Sequence, residues 1–513
     1  MANESRVKKT MLNAKVNLIC YFASFITAFF TRKILLAQFG AEFIGFTGTV
    51  GSLLSFLNLA ELGIGTAIGY VLYKPIADGD RFKINEIISV LGYLYQKIGY
   101  TILGIGIVTS FFLPLIFPST TFSWVVIYFG FYAYLASSLI GYFANYKASL
   151  LSADQRNYIV TGYFQLTTTT KVILQMVLAL CFRSFIVYFS IELLFGIINS
   201  IILNWKINKT YPWLKSEIKQ GKQIFKKYPE IAKYTKQIFA HKFGGLVQGQ
   251  LTPFLIYSFV SLPMVALYTN YTIITQKIES LISVTFNSTW AAIGNLIAEG
   301  DKENTFKVFR ELLSFRLFVA PIIAACIYHF LPIFISLWVG DEYVLPNAVI
   351  IIIAIMSALN IARGTIDQFV YGFGIFADIW APYAESCITI VFATIGGHLW
   401  GLPGVLCGPL ASTIAIAYIW KPYYLFSKGF KLSVYKYWKL FAINSSASAI
   451  AFLVTDYIYT MLIGNHIPTN NWGNLIVSCS IYTIVIFATT TILYYMTSAE
   501  FRDLAHRIKL YKR

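Results

Sequence analysis

FIVYFSIELLFGIINSIILNW, residues 185–205, is a run of 21 residues that carries a single charged side chain, Glu192. As a helix it would rise about 31 Å, enough to cross a hydrocarbon core of about 30 Å. Arg183 stands before it, and after Trp205 the chain turns abruptly basic. Similar runs recur near 11–32, 41–73, 97–117, 121–145, 157–181, 238–259, 263–297, 312–338, 345–371, 379–398, 402–426, 440–462 and 474–497. Of the 513 residues, 57% are hydrophobic, 17% aromatic and only 12% charged, which is far from the usage of soluble domains. A closed barrel, the other spanning solution, would show short alternating segments, and the sequence has long continuous ones. The reading is an all-α, polytopic membrane helix bundle of about 14 transmembrane helices.

Charge sets the expected orientation. Of the 40 Lys and Arg, 34 fall in alternate loops and termini, ten of them between 206 and 242. Short cytoplasmic loops carry such an excess, so both termini are expected in the cytoplasm. The opposite loops (FPSTTF, FVSLPM, WVGDEYVLP, HLWGLPG, IGNHIPTNNWGN) are short and free of Lys and Arg. They leave no room for an outer catalytic domain. The net charge of +17 is then a topology signal whose surplus suits anionic headgroups, and its dispersal over many loops argues against nucleic acid. The run near the N-terminus ends in FFTRK with no small-residue cleavage site, so it reads as a retained helix. The six Cys lie in apolar runs at no paired spacing and read as small buried hydrophobes, and the five His form no metal motif.

An internal repeat appears at an offset of 221 residues, where Ile76-Ala-Asp-Gly-Asp80 recurs as Ile297-Ala-Glu-Gly-Asp301. Each copy closes a long apolar stretch and is soon followed by Phe-Lys, at Phe82-Lys83 and Phe306-Lys307. Two lobes of six helices in the same orientation follow, 1–205 and 238–430, joined by a Lys-rich linker, 206–237. The remainder, 431–513, adds two helices and a tail. Parallel repeats about an axis along the membrane normal are a transporter architecture.

Six basic residues remain outside the cytoplasmic set: Arg32, Lys33, Lys171, Arg183, Lys277 and Arg363. A cation at bilayer depth costs about 2.5–3.5 kcal/mol on insertion scales, so it marks a pathway or an ion pair. Lys171 and Lys277, near the middles of their spans, are expected in a substrate cavity, the structural alternative being pairs with Glu192, Glu279 or Asp456. Arg363 is a further cavity candidate, with neutralisation by Asp367, four residues on along the same helix face, as its alternative. Arg32 and Lys33 join the set, with snorkelling to the outer interface as their alternative, and Arg183 reads as an interface residue. Glu61 is a candidate for ion coupling, or else for a hydrogen bond to a neighbouring helix, and Asp367 is a second coupling candidate. Gly244, Gly245, Gly249 and Pro253 make the seventh span the expected moving element, whereas Gly65-x-x-x-Gly69 suggests tight packing.

Thr31-Arg-Lys-Ile-Leu-Leu-Ala-Gln-Phe-Gly-Ala-Glu-Phe-Ile-Gly45 and Leu57-Asn-Leu-Ala-Glu-Leu-Gly-Ile-Gly-Thr-Ala67 resemble the opening of the bacterial polysaccharide flippases of the multidrug/oligosaccharidyl-lipid/polysaccharide exporter superfamily. Gly401-Leu-Pro-Gly404 resembles that family's approach to helix twelve. The resemblance implies a flippase in the bacterial cytoplasmic membrane that moves an undecaprenyl-diphosphate-linked oligosaccharide for capsule, exopolysaccharide or O-antigen assembly. It implies lipid-linked oligosaccharide and membrane lipids as partners, with polymerase and chain-length machinery nearby and the protein itself a monomer. No cofactor is expected, since no GxxxxGK[ST] loop occurs. A cation-coupled multidrug exporter and a peptidoglycan-precursor flippase are the competing transporter readings. A membrane glycan polymerase or ligase is the competing enzyme reading, and the short outer loops disfavour it.

Overall fold

The computed structural model describes residues 6–61, 63–118, 120–154, 156–287, 293–294, 296–297, 299–375, 377–461 and 471–504. Among these no strand occurs, and every one of the expected spans overlaps a helix. The expected outer loop around His466 and most of the basic C-terminal tail lie outside the described residues.

The chain divides into two compact units, Met1–Ala266 and Leu267–Arg513. The first opens with α1 (Arg6–Leu57), bent at Gly40, whose φ of 81° only glycine adopts without strain. The arms on either side of Gly40 are the first expected span and the start of the second. The second span is then interrupted: Asn58–Glu61 tighten into a 3₁₀ turn, Gly63 takes φ 100°, and α2 (Ile64–Asp78) resumes. The unit continues through α3 (Arg81–Phe111), the short α4 (Leu113–Ile116), α5 (Trp124–Ala144), the short α6 (Ala148–Ala153), α7 (Asn157–Phe182) and α8 (Phe185–Thr210). After α9 (Gly221–Phe225), α10 (Pro229–Phe259) runs unbroken through Pro253, and the division between units falls early in α11 (Leu262–Asn287). The surroundings of Gly244 and Gly245 lie outside the described residues.

The second unit holds α12 (Lys302–Val339), α13 (Asn347–Gly372), α14 (Trp380–Trp400), α15 (Leu402–Phe430, partly π-helical), α16 (Tyr435–Tyr459) and α17 (Trp472–Thr497). The sequence repeat is a structural one. Gly79 (φ 70°) ends α2 and the Asp80 side chain accepts from the Lys83 amide at 3.0 Å to open α3. Gly300 (φ 81°) and Asp301, which accepts from the Asn304 amide at 3.0 Å, open α12 in the same way. A left-handed glycine followed by an aspartate cap turns the chain in two residues. The Lys83 amide and ammonium also hold the Asp80 carboxyl below the usual carboxylate range.

The exterior is apolar. Phe111, Leu115, Ile484 and Met496 are 74, 76, 68 and 70% exposed, a surface that water would not tolerate and hydrocarbon would. Cys181 and Cys387 share that exposure, so the expectation that all six cysteines are buried does not hold. Inside the first unit, Phe43 and Phe46 meet Phe122 and Phe189 in a ring cluster, and in the second Phe309 meets Phe369, Phe426 and Phe430. The basic segment 211–228 is fastened to the first unit. Lys227 and Tyr228 both reach Glu86, at 2.7 and 2.8 Å, and the Lys215 and Glu217 amides donate to Asn85 and Ser89.

Candidate functional site

The interruption of the second span builds a polar site inside the first unit. Because the chain leaves helical geometry between Asn58 and Gly63, these residues project side chains that a regular helix would direct elsewhere. The Tyr95 hydroxyl, from α3, donates to Glu61 Oε1 at 2.6 Å. The Tyr142 hydroxyl, from α5, lies 3.0 Å from Glu61 Oε2 and 3.1 Å from Asn58 Oδ1, to which Ser138 also donates at 3.1 Å. The two tyrosine rings meet edge to face, 5.7 Å apart. Gly65 leaves the Tyr95 hydroxyl room, since a Cβ on it would stand 3.0 Å from that oxygen, a tight contact. Both carboxylate oxygens of Glu61 thus lie within hydrogen-bond distance of phenols.

A cavity of about 1060 Å³ opens on this cluster. Beyond Glu61 the described wall residues are neutral: Asn58, Tyr73, Tyr95, Ser138, Tyr142 and Asn145 supply hydroxyl, amide and ring surface, and Phe164 and Gln250 extend it. Asn145 is itself fixed by Ser200 and Asn204, at 2.8 and 3.1 Å. The site offers many hydrogen bonds, aromatic faces and one acid.

The other sequence-predicted residues lie elsewhere. Lys171 pairs with Glu192 at 2.7 Å, both side chains largely buried, and Gln175 adds a bond to Glu192 at 3.3 Å. This is the structural alternative raised for Lys171. Arg32 donates to the Ala266 carbonyl at 2.6 Å, and Lys33 is exposed. Arg363 and Asp367 pair at 3.3 Å along α13. Lys277 is half-buried on α11, near a cavity of about 480 Å³ lined by Gln276, Glu279, Ser280 and Ser283. Glu279 accepts from Asn360 at 3.3 Å, while Asp456 meets His329 at 3.0 Å.

The charge count missed one residue. Arg316, placed with the cytoplasmic loop residues, is only 4% exposed and lies 14 residues inside α12, about 21 Å along it. Its guanidinium stacks 4.0 Å from the Phe286 ring centroid and donates to the Ile361 carbonyl at 3.0 Å, with Nε unpartnered among the described residues. The repeat offset leads to it once the structure has singled out Tyr95. Arg316 follows Tyr95 by 221 residues, Phe286 follows Gly65, Glu279 follows Asn58, and Arg363 follows Tyr142. One contact corresponds as well: Tyr95 abuts Gly65 as Arg316 abuts Phe286. One half fills these positions with phenols and amide, and the other with guanidinium and carboxylate.

No protein-family model matches the chain, and no curated protein matches it. Solved structures do. Lipid II flippase MurJ, in an inward closed conformation, is 15% identical and aligns with a TM-score of 0.66 over 94% of this chain and 99% of its own. The chain has the MurJ-like fold. A multidrug resistance MATE family transporter of the MOP superfamily, inward-facing, follows the same path at 14% identity and a TM-score of 0.60, over 82% of this chain and 98% of its own. At these identities the likeness shows the fold alone and does not assign a family or a role.

Proposed function

We propose that the chain is a flippase that carries an undecaprenyl-diphosphate-linked oligosaccharide unit from the inner to the outer leaflet of the bacterial cytoplasmic membrane by alternating access. The cargo would serve capsule, exopolysaccharide or O-antigen assembly. Both termini would lie in the cytoplasm, and the protein would work as a monomer beside polymerase and chain-length machinery. The observation that carries this reading is the cavity at Glu61. At about 1060 Å³ it exceeds the roughly 300–1000 Å³ of ordinary small-molecule pockets. Its walls of tyrosine, asparagine and serine match a glycan, which presents hydroxyls along its edges and apolar faces to rings. The MurJ-like fold is compatible with such a cargo, since MurJ is itself a lipid II flippase.

Glu61 favours a second reading. An acid in a neutral cavity would also attract an organic cation, the cargo class of a cation-coupled multidrug exporter. Purified protein in liposomes separates the two: a lipid-linked oligosaccharide should be flipped and an organic cation should not be accumulated. Cation accumulation with no flipping would reverse the assignment. Comparing a repeat-unit glycan with a peptidoglycan-precursor head group on the same lipid carrier tests the sugar class, with faster flipping expected for the repeat unit.

A further inference from the structure

A further cavity lies in the second unit, where the turn before α12 meets the α15–α16 connection. It measures about 520 Å³. Three lysines line it from three separate stretches: Lys302 at the first turn of α12, Lys431 just past α15, and Lys436 in the first turn of α16. Glu303 is the one acid in its wall. Among the described residues, none of the three ammonium groups has a carboxylate within ion-pair distance, whereas neighbouring Arg310 is paired with Glu500 at 3.1 Å. The floor is aromatic. Phe306 and Phe430 meet at 5.4 Å, Phe373 closes on Phe430 at 5.1 Å, and Lys436 Nζ stands 5.5 Å from the Phe306 ring centroid.

Lys431 is held in the left-handed region, at φ 55°. Glycine is the residue this position would favour, since the lysine adds strain without adding a contact that closes the turn. The Leu432 amide returns to the Phe426 carbonyl at 3.0 Å, which would hold for glycine as well. A strained position that puts an ammonium in the cavity wall, with no carboxylate within ion-pair distance among the described residues, points to a ligand rather than to the fold.

We propose that this cavity binds the phosphate of an anionic phospholipid, with the phosphate on Lys302, Lys431 and Lys436 and the start of the acyl chains on Phe306 and Phe430. Lipid bound there would brace the repeat turn before α12 against the connection into the two C-terminal helices. The proposal does not depend on the cargo. Its setting at the end of the bundle that carries the basic loops is where anionic headgroups meet juxtamembrane lysines.

The test uses full-length protein in neutral detergent, titrated with short-chain phosphatidylglycerol, phosphatidylcholine or inorganic phosphate while the unfolding midpoint is followed. Phosphatidylglycerol should raise the midpoint saturably, with phosphatidylcholine and inorganic phosphate far weaker. Lys302→Gln, Lys436→Gln and Lys431→Gly should each weaken the apparent Kd about fivefold. Lys431→Gly is decisive, because it relaxes the backbone and should leave the lipid-free midpoint unchanged or higher. Wild-type affinity in that variant, or an equal response to phosphatidylcholine or to inorganic phosphate, would overturn the proposal.

Discussion

The Arg316 guanidinium occupies the space that a side chain on Gly364 would need: a Cβ built there would overlap its terminal nitrogen and stand 2.7 Å from Cζ. The buried cation of α12 is therefore seated in a notch cut into α13. Gly364→Ala should lower stability by about 1–3 kcal/mol, the usual cost of overpacking a tight interface. Thermal unfolding in detergent checks this. Combining it with Arg316→Ala should cost less than the two single changes summed, since the alanine pair no longer collides.

Glu61 gives a second expectation. Tyr95→Phe and Tyr142→Phe each remove one phenol donor from the carboxylate, leaving a partly buried acceptor unmet at about 1–3 kcal/mol. Flipping in liposomes should fall about tenfold or more in each, with expression retained, because the ring contact at 5.7 Å survives in both. Unchanged flipping in both would remove the cavity from the transport path.

Lys171 is expected to act differently. Replacing it by Gln strands Glu192, a charge in a largely buried pair, and one-sided removal of such a partner costs about 3–5 kcal/mol. Folded yield should drop, and Lys171→Gln with Glu192→Gln should restore it. A variant that folds normally yet loses flipping would instead place Lys171 among the transport residues.

These three sites show how far the sequence could be read. The spans were legible because a run of about twenty apolar residues is a local signal, and the turns at Asp80 and Asp301 were legible because glycine and aspartate each have one physical reason to be there. The partners of Glu61 were not, since Tyr95 and Tyr142 lie 34 and 81 positions away and nothing local marks them among 35 tyrosines. Arg316 falls inside the expected span 312–338 and yet counts with the basic loop residues, because α12 starts at the basic loop and runs for 38 residues without a boundary signal. Charge alone could not show that Lys171 is locked in a pair with Glu192. Contact across helices decides that, and only the repeat offset carries some of such contact into the sequence.

The last expectation concerns what drives transport, and it follows from the sign of the proposed cargo. A lipid diphosphate carries about two negative charges and the cytoplasm is negative, so outward movement runs down the electrical gradient. At about 2.3 kcal/mol per charge per 100 mV, transfer of two charges across 100 mV gains about 4.6 kcal/mol. That drive needs no nucleotide hydrolysis, in keeping with a sequence that has no phosphate loop. The Arg363–Asp367 pair, at 3.3 Å, leaves little net charge of its own to move. In liposomes with an imposed potential and no ion gradient, flipping should be faster when the source side is negative and slower when the polarity is reversed. Equal rates at both polarities would remove the electrical drive. Recovery by a proton or sodium gradient alone, lost in Glu61→Gln, would assign coupling to the acid at the broken second span, whereas loss in Asp367→Asn would assign it to α13.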